Sequence, residues 1–313
     1  MGLRRMIVAM VMASVLVALP ACTVRVPLGG ADEGGAAESP TESSATTDPL
    51  AGIDASARVV ALGRPIGQMW VLAGGELVGA TDDALDLSPE ADGIASVGSI
   101  EHPSLEKVLS LEPNLVLLSD KTASHKELHA ALNGANVPVL VVEVASFKDY
   151  ATYMGKLTGA TGRDELYEKN VTQVSAKIDE VIERSAQEGR GSYLALRIAA
   201  KEGKVLGNDD FACMMLGDLG MTNADGSGST DASAEAVAAT NPDWVFVIYQ
   251  GDAAKAQKNY EKKFVSDPAW AELAASKAGH VVVLPQDLFQ NVPNARWAEA
   301  YAQLSQVLHG AWA

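Results

Sequence analysis

Met69, His102, Lys121, Arg197, Asp209, Tyr249 and Arg296 stand at or near the ends of strand-like runs and carry side chains able to do chemistry. Arg197 and Lys121 suit anionic oxygens, the guanidinium through a planar fork and the ammonium as a point charge. Met69, His102 and Tyr249 offer the thioether, imidazole and phenolate donors that ligate haem iron. Each residue also has a plainer use. Met69 precedes Trp70-Val71-Leu72 and suits a core, Arg197 suits an ion pair with Asp209 or Asp210, and His102 beside Pro103 suits entry into a helix. Glu106 and Glu235 are a matched pair, because they fall at one position of a pattern that occurs twice.

That pattern is S-x-E-x-V-x-x-x-x-P-[ND]-x-V, carried by the stretches His102–Leu118 and Asp231–Val247, which align without a gap. In each copy a Ser cap and helically spaced apolar residues describe a short helix, Pro113 or Pro242 ends it, and a β-rich run follows. The Glu at the third position of the capped helix would also complete the cap. A duplicated helix-turn-strand unit predicts two similar lobes.

The rest of the chain supplies the elements that must position these side chains. Strand-like runs at Arg58–Leu62, Leu77–Ala80, Val137–Val142, Tyr193–Ile198, Trp244–Tyr249 and Val281–Leu284 alternate with helical patterns. The helices include one from Gln68 to Leu72, one from Ser124, its cap, to Leu132, one opened by Ser146-Phe147-Lys148-Asp149, and a last one from Arg296 to Leu308. Such alternation predicts an α/β fold of mainly parallel sheets with crossover helices. Between the repeats, Leu166, Tyr167, Val171, Val174, Ile178, Val181 and Ile182 share one face of a helix of about six turns, roughly 35 Å long. Open α/β sheets bind ligands outside the carboxyl ends of their strands, so those ends are expected to face one another across a groove between the lobes.

Composition excludes several functions. The chain has 24 Lys and Arg against 40 Asp and Glu, a formal charge of −16, which disfavours a nucleic-acid partner. His125 and His129 have the i, i+4 spacing of a metal pair, but no third ligand accompanies them, and five His in all argue against a dedicated zinc or manganese carrier. With no G-x-S-x-G, phosphate-binding loop, G-x-G-x-x-G after a strand or paired-carboxylate motif, no enzyme is expected. Cys213, among Phe211, Met214, Met215 and Leu216, reads as a small buried hydrophobe.

The N-terminus addresses the chain. Arg4 and Arg5 precede an apolar run from Met6 to Leu19, the form of a secretory signal over residues 1–21. Leu19-Pro20-Ala21-Cys22 resembles a bacterial lipobox, with Pro20 a departure from its usual small or β-branched residue. The resemblance implies a diacylglycerol-modified Cys22 as lipid anchor, its acyl chains palmitate or similar, on the extracytoplasmic face of the cell membrane. Residues 23–57, rich in Gly, Ala, Ser, Thr and Pro, read as a flexible tether.

The body resembles the iron-complex and vitamin B12 class of solute-binding proteins of ABC importers, two α/β lobes joined by one rigid helix. The resemblance is carried in order by Arg58–Leu62, Pro103–Val116, Ser233–Val247, Asp267–Val281 and Leu288–Glu299. It implies a first lobe over 58–160, a connecting helix over 161–188 and a second lobe over 189–313. It also implies capture of an iron complex, siderophore or haem, for delivery to a permease dimer with its ATPase subunits. Arg197 and Lys121 would then meet hydroxamate or catecholate oxygens, and Glu106 and Glu235, one on each lobe, would dock on permease arginines. Corrinoid binding within the class is the alternative; an α/β enzyme or a surface adhesin is the reading from other classes. The protein is expected to act as a monomer with no resident cofactor, the metal complex being cargo.

Overall fold

The computed structural model describes residues 48–88, 93–185 and 191–310. The secretory signal and Cys22 lie outside them. Among the described residues no helix is long and apolar enough to cross a membrane.

The first half is built on five strands: β1 (Val59–Ala61), β2 (Leu77–Ala80), β3 (Ala95–Ser96), β4 (Leu115–Leu118) and β5 (Val139–Val141). All pair in parallel, in the order β3-β2-β1-β4-β5. Their connections carry α1 (Arg64–Leu72), α2 (Leu105–Ser110) and α3 (Ala123–Gly134), and α4 (Phe147–Thr161) follows β5. β1 and β4 are fully buried, which explains why they read as continuous apolar runs rather than alternating ones. The strand order reverses between β1 and β4, and such a switch point opens a crevice beyond the strand ends.

A helical path then leads to the second half. It comprises α5 (Asp164–Tyr167), a π-helical segment over Glu168–Thr172, and α6 (Gln173–Ser185). The π turn departs from the uniform helix that the apolar spacing predicts. It accompanies a buried Asn170, whose amide donates to the Leu72 carbonyl at 2.9 Å, one of the acceptors left open at the end of α1.

The second half has β6 (Ser192–Ile198), β7 (Gly203–Val205), β8 (Thr222–Asn223), β9 (Trp244–Tyr249) and β10 (Val281–Val283). The main order is β10-β9-β6-β7, with β8 also on β6. β7 runs antiparallel to β6 through a tight turn in which Ala199 N–H donates to the Glu202 carbonyl, so this sheet is mixed. The helices are α7 (Phe211–Asp218), α8 (Ala234–Thr240), α9 (Ala253–Tyr260), α10 (Pro268–Glu272), α11 (Ala274–Ala278), α12 (Gln286–Phe289) and α13 (Trp297–Leu308).

The two sequence repeats fold alike. Ser104 caps α2 by accepting from Lys107 N–H, Ser233 caps α8 by accepting from Ala236 N–H, and the helices lead into β4 and β9. Three expectations are corrected. Thr122 and not Ser124 precedes the first turn of helix α3, without a side-chain capping bond, and the Ser124 hydroxyl instead donates to the Ile100 carbonyl. Helix α1 begins at Arg64 rather than Gln68, because Pro65 is tolerated in a first turn where its missing N–H has no partner to lose. The folded body also starts before Arg58: Leu50 and Ile53, held in successive turns, pack on the core, so residues 48–57 belong to it and not to the tether.

One hydrophobic core runs through both sheets. It includes Val59, Met69, Trp70 and Tyr150 from the first half, Val174 and Ile178 of α6, and Tyr193, Phe246 and Trp297 from the second. Trp297 is fully buried, 5.9 Å from the Phe147 ring of α4 and 6.1 Å from the Phe211 ring of α7, edge-on to both.

Candidate ligand cleft

The carboxyl ends of the two sheets meet at a cleft of about 1030 Å³, at the upper end of the range of small-molecule sites. Lys121 and Thr122, past the end of β4, form its wall on the first half. Arg197 near the end of β6, Lys204 and Val205 of β7, Gly207, Asp209, Asp210 and Gln250 form the opposite wall. Asn291, between α12 and α13, reaches both.

Arg197 sets the geometry of the second wall. Its guanidinium donates to Asp210 Oδ2 at 2.8 Å, to the Gln290 carbonyl at 2.7 Å and to Gln250 Oε1 at 3.2 Å, and lies over the Phe211 ring. Its side chain is 12% exposed and that of Asp210 16%. Asp210 also caps α7, accepting from Ala212 N–H at 3.0 Å. The pairing with Asp210 is the plainer use that the sequence allowed for Arg197, and it leaves this cation lining the cleft with most of its donors engaged.

The segment 290–296 crosses between the halves. One end is held by Arg197 through the Gln290 carbonyl; the other by Asn294, whose amide donates to the Pro65 carbonyl at 3.0 Å and to Gln68 Oε1 at 2.9 Å on α1. Asn294 is fully buried with φ +51°, a left-handed conformation that Asn tolerates better than other side-chain-bearing residues.

A smaller hollow of about 200 Å³ adjoins the cleft at the switch point of the first sheet and shares Lys121, Thr122 and Asn291 with it. Gly63 lies in its wall with φ +117°, a conformation that favours glycine, and donates its N–H to Thr81 Oγ1 at 2.8 Å. At the rim Glu143 accepts from Ser119 Oγ at 2.6 Å and faces Lys121 Nζ at 3.6 Å. His125, 1% exposed, donates through Nε2 to the Ile100 carbonyl, and burial lowers its pKa, keeping the imidazole neutral. His129 instead faces Asp120, so neither histidine of the i, i+4 pair is turned to a shared metal.

Of the sequence candidates, the structure brings Lys121, Arg197 and Asp209 together on the cleft and places Met69, 1% exposed, in the wall of the hollow. It does not bring the others there. His102 is exposed beside a separate shallow depression next to α3, because the Gly98–Pro103 bridge turns the chain away from the strand ends. Tyr249 packs against Tyr260 in the second half's own core, and burial raises its pKa. Arg296 is engaged by Glu299 at 2.7 Å and Asp287 at 3.0 Å beside another depression. Sequence reasoning did not single out Thr122, Gln250 and Asn291, although they fall within the strand ends 119–122, 249–252 and 286–294 that it expects at the groove, and it missed Lys204 altogether. All but Lys204 sit one to several positions beyond a run already recognised, and that offset is the signal that could have found them.

Glu106 and Glu235 occupy the second position of α2 and α8, are exposed, and enter no hydrogen bond or ion pair among the described residues. The third position, where a carboxylate would complete a capping box, belongs to Lys107 and Ala236. The carboxylates are therefore not consumed by helix capping.

A family model described as periplasmic binding protein matches residues 59–288. The chain is 24% identical over 203 residues to the iron-uptake system-binding protein of Bacillus subtilis, covering 61% of each chain. It is 29% identical over 207 residues to the petrobactin-binding protein YclQ of the same organism, covering 62% of each. The matches thus span about three-fifths of these relatives' length. In fold it is similar to Staphylococcus aureus IsdE complexed with heme, with a TM-score of 0.71 at 17% identity, covering 81% of this chain and 99% of that one.

Proposed function

Because the chain belongs to the periplasmic binding protein family, we propose that it is the substrate-binding component of an ABC importer, capturing an iron chelate and presenting it to a permease. The observation that carries this reading is the cleft where two sheets aim their strand ends at one another, held open by a shared core. Relatives named for iron uptake and for petrobactin agree with it. The lining of the cleft favours a chelate that brings all its own metal donors. It consists of Lys, Arg, Asp, Glu, Gln, Asn, Ser, Thr, Gly and Ala with the aliphatic Val205 and Leu206, and has no His, Met, Tyr or Cys among the described residues that line it. Haem, which needs an axial ligand from that set, would have to draw it from the adjoining hollow, where Met69 is 1% exposed and His125 Nε2 is engaged by the Ile100 carbonyl, and is served less well.

Lys121, Lys204 and the outer face of Arg197 would hold anionic oxygens of the chelator, while Asp209 and Gln250 would accept its hydrogen bonds. Glu106 and Glu235, free and in equivalent places on the two repeats, would dock on basic residues of a two-fold permease. The lipobox-like run at Cys22 would hold the protein, as a monomer, on the extracytoplasmic face of the membrane through two acyl chains. The test is a titration of residues 48–313 with ferric siderophore complexes, haem and cobalamin, followed by absorbance and Trp fluorescence. Saturable 1:1 binding of a ferric siderophore, with no Soret shift on adding haem, is the expected result. A haem complex with a shifted Soret band, or binding of cobalamin alone, would overturn the ligand assignment.

A further inference from the structure

The hollow beside the cleft differs from it in chemistry. Leu62, Ile66, Met69, Ile100, Val142 and Val292 form most of its wall; polar side chains line it too, among them Asp83, His125 and Asn294, as well as Lys121, Glu143 and Ser119, which make the ion pair and hydrogen bond where it meets the cleft. Folded proteins seldom leave apolar space of this size unfilled, since the lining forfeits its dispersion contacts. A cavity of about 150 Å³ lined by aliphatic side chains stays dry and admits a benzene ring; this one measures about 200 Å³. Burial keeps His125 in its wall neutral, so Lys121, held by Glu143, is the one cationic side chain among the described residues that line it. The Met69 thioether adds a partner that favours an aromatic face or edge over an alkyl chain.

We propose that the ligand held in the cleft carries an aromatic ring that seats in this hollow, its chelating groups remaining in the polar cleft beyond Lys121, Thr122 and Asn291. This rests on the capture reading above and narrows it to aryl-bearing chelates. The shared rim residues make the two spaces continuous, so one molecule can occupy both.

The experiment compares two probes, the ferric complexes of a linear trihydroxamate ending in a benzyl amide and of the same chelator ending in a methyl amide. Calorimetric titration of the wild-type protein should show the benzyl complex binding at least about tenfold tighter, the order expected for burying one ring. Ile100→Phe and Val292→Phe fill the hollow from two different chain segments, at positions only partly buried. Each should bring the two complexes to within about twofold of one another while the methyl complex keeps its affinity, which also reports that the variant is folded. Equal affinities in the wild type, or plugs that weaken both complexes alike, would overturn the proposal. Benzyl alcohol, followed through the methyl resonances of Met69 and Ile66, tests the hollow without metal. If neither chelate binds but benzyl alcohol shifts those methyls in the wild type and not in Val292→Phe, the capture reading fails and the ring site stands; if it shifts nothing, the ring site fails too.

Discussion

Replacing Arg197 by Met keeps much of the side-chain volume and removes the charge, leaving Asp210 short of its partner and the Gln290 carbonyl and Gln250 amide oxygen short of a donor. Breaking one side of a fully buried pair costs about 3–5 kcal/mol, and the 12% and 16% exposure of the two side chains lets water offset part of it. A loss of about 2–3 kcal/mol follows, which for a chain of this size lowers Tm by roughly 4–6 °C. Asp210→Asn keeps the cap on α7, since Asn caps as well as Asp, and should cost about 1–2 kcal/mol. With both changes no unpaired charge remains, so the double variant should lose about 1–2 kcal/mol less than the sum of the singles. Urea unfolding of the four proteins at pH 7, with matching m-values, measures this coupling. Additivity within about 0.5 kcal/mol would refute the assignment of Arg197 and Asp210 as one unit organising the cleft wall.

Glu106→Ala together with Glu235→Ala should abolish cellular uptake while the purified protein retains its affinity for the ferric chelate, and reversal to Arg should be at least as severe. Cys22→Ser should move the protein from the membrane fraction to the soluble one. Small-angle scattering should show a change in radius of gyration below about 1 Å on adding ligand, because the core and α6 resist bending between the halves. His125, buried neutral with its pKa lowered chiefly by burial against the pull of Asp83 and Asp120, contributes stability that is present above the unfolded value of about 6.5. That contribution falls as pH drops below 6.5, by at most about 1.4 kcal/mol per pH unit, so His125→Gln should flatten the decline in urea midpoint between pH 7 and pH 5.

The sequence disclosed the fold wherever local chemistry and tertiary demand agree. The repeated Ser caps, the prolines that end α2 and α8, and the apolar runs of β4 and β9 each need only neighbouring residues to be read. Legibility failed where a distant partner decides. The π turn at Glu168–Thr172 places Asn170 against the end of α1, ninety-eight positions away. Leu50 and Ile53 look like linker until the core they cover is present. The antiparallel β7 is too short for its period to register. The same divide runs through the cleft. Strand ends located Lys121, Arg197 and Asp209, whereas the position of His102 depends on a bridge between Gly98 and Pro103, and the burial of Tyr249 on Tyr260. Arg197's partners at 250 and 290 lie far away in the chain, so the sequence showed its charge but not its engagement.

The wedge of Trp297 between α4 and α7 has a consequence for how the molecule comes apart. Its ring lies against Phe147 and Tyr150 of one repeat-bearing half and Phe211 of the other. Neither half therefore possesses a complete interior. Cleaved into halves, each would expose aromatic and aliphatic surface that the intact chain hides, and neither would be a self-sufficient folding unit. A pattern written twice in the sequence has thus become thermodynamically single: heat should melt the two lobes in one transition, at one temperature, however similar their plans.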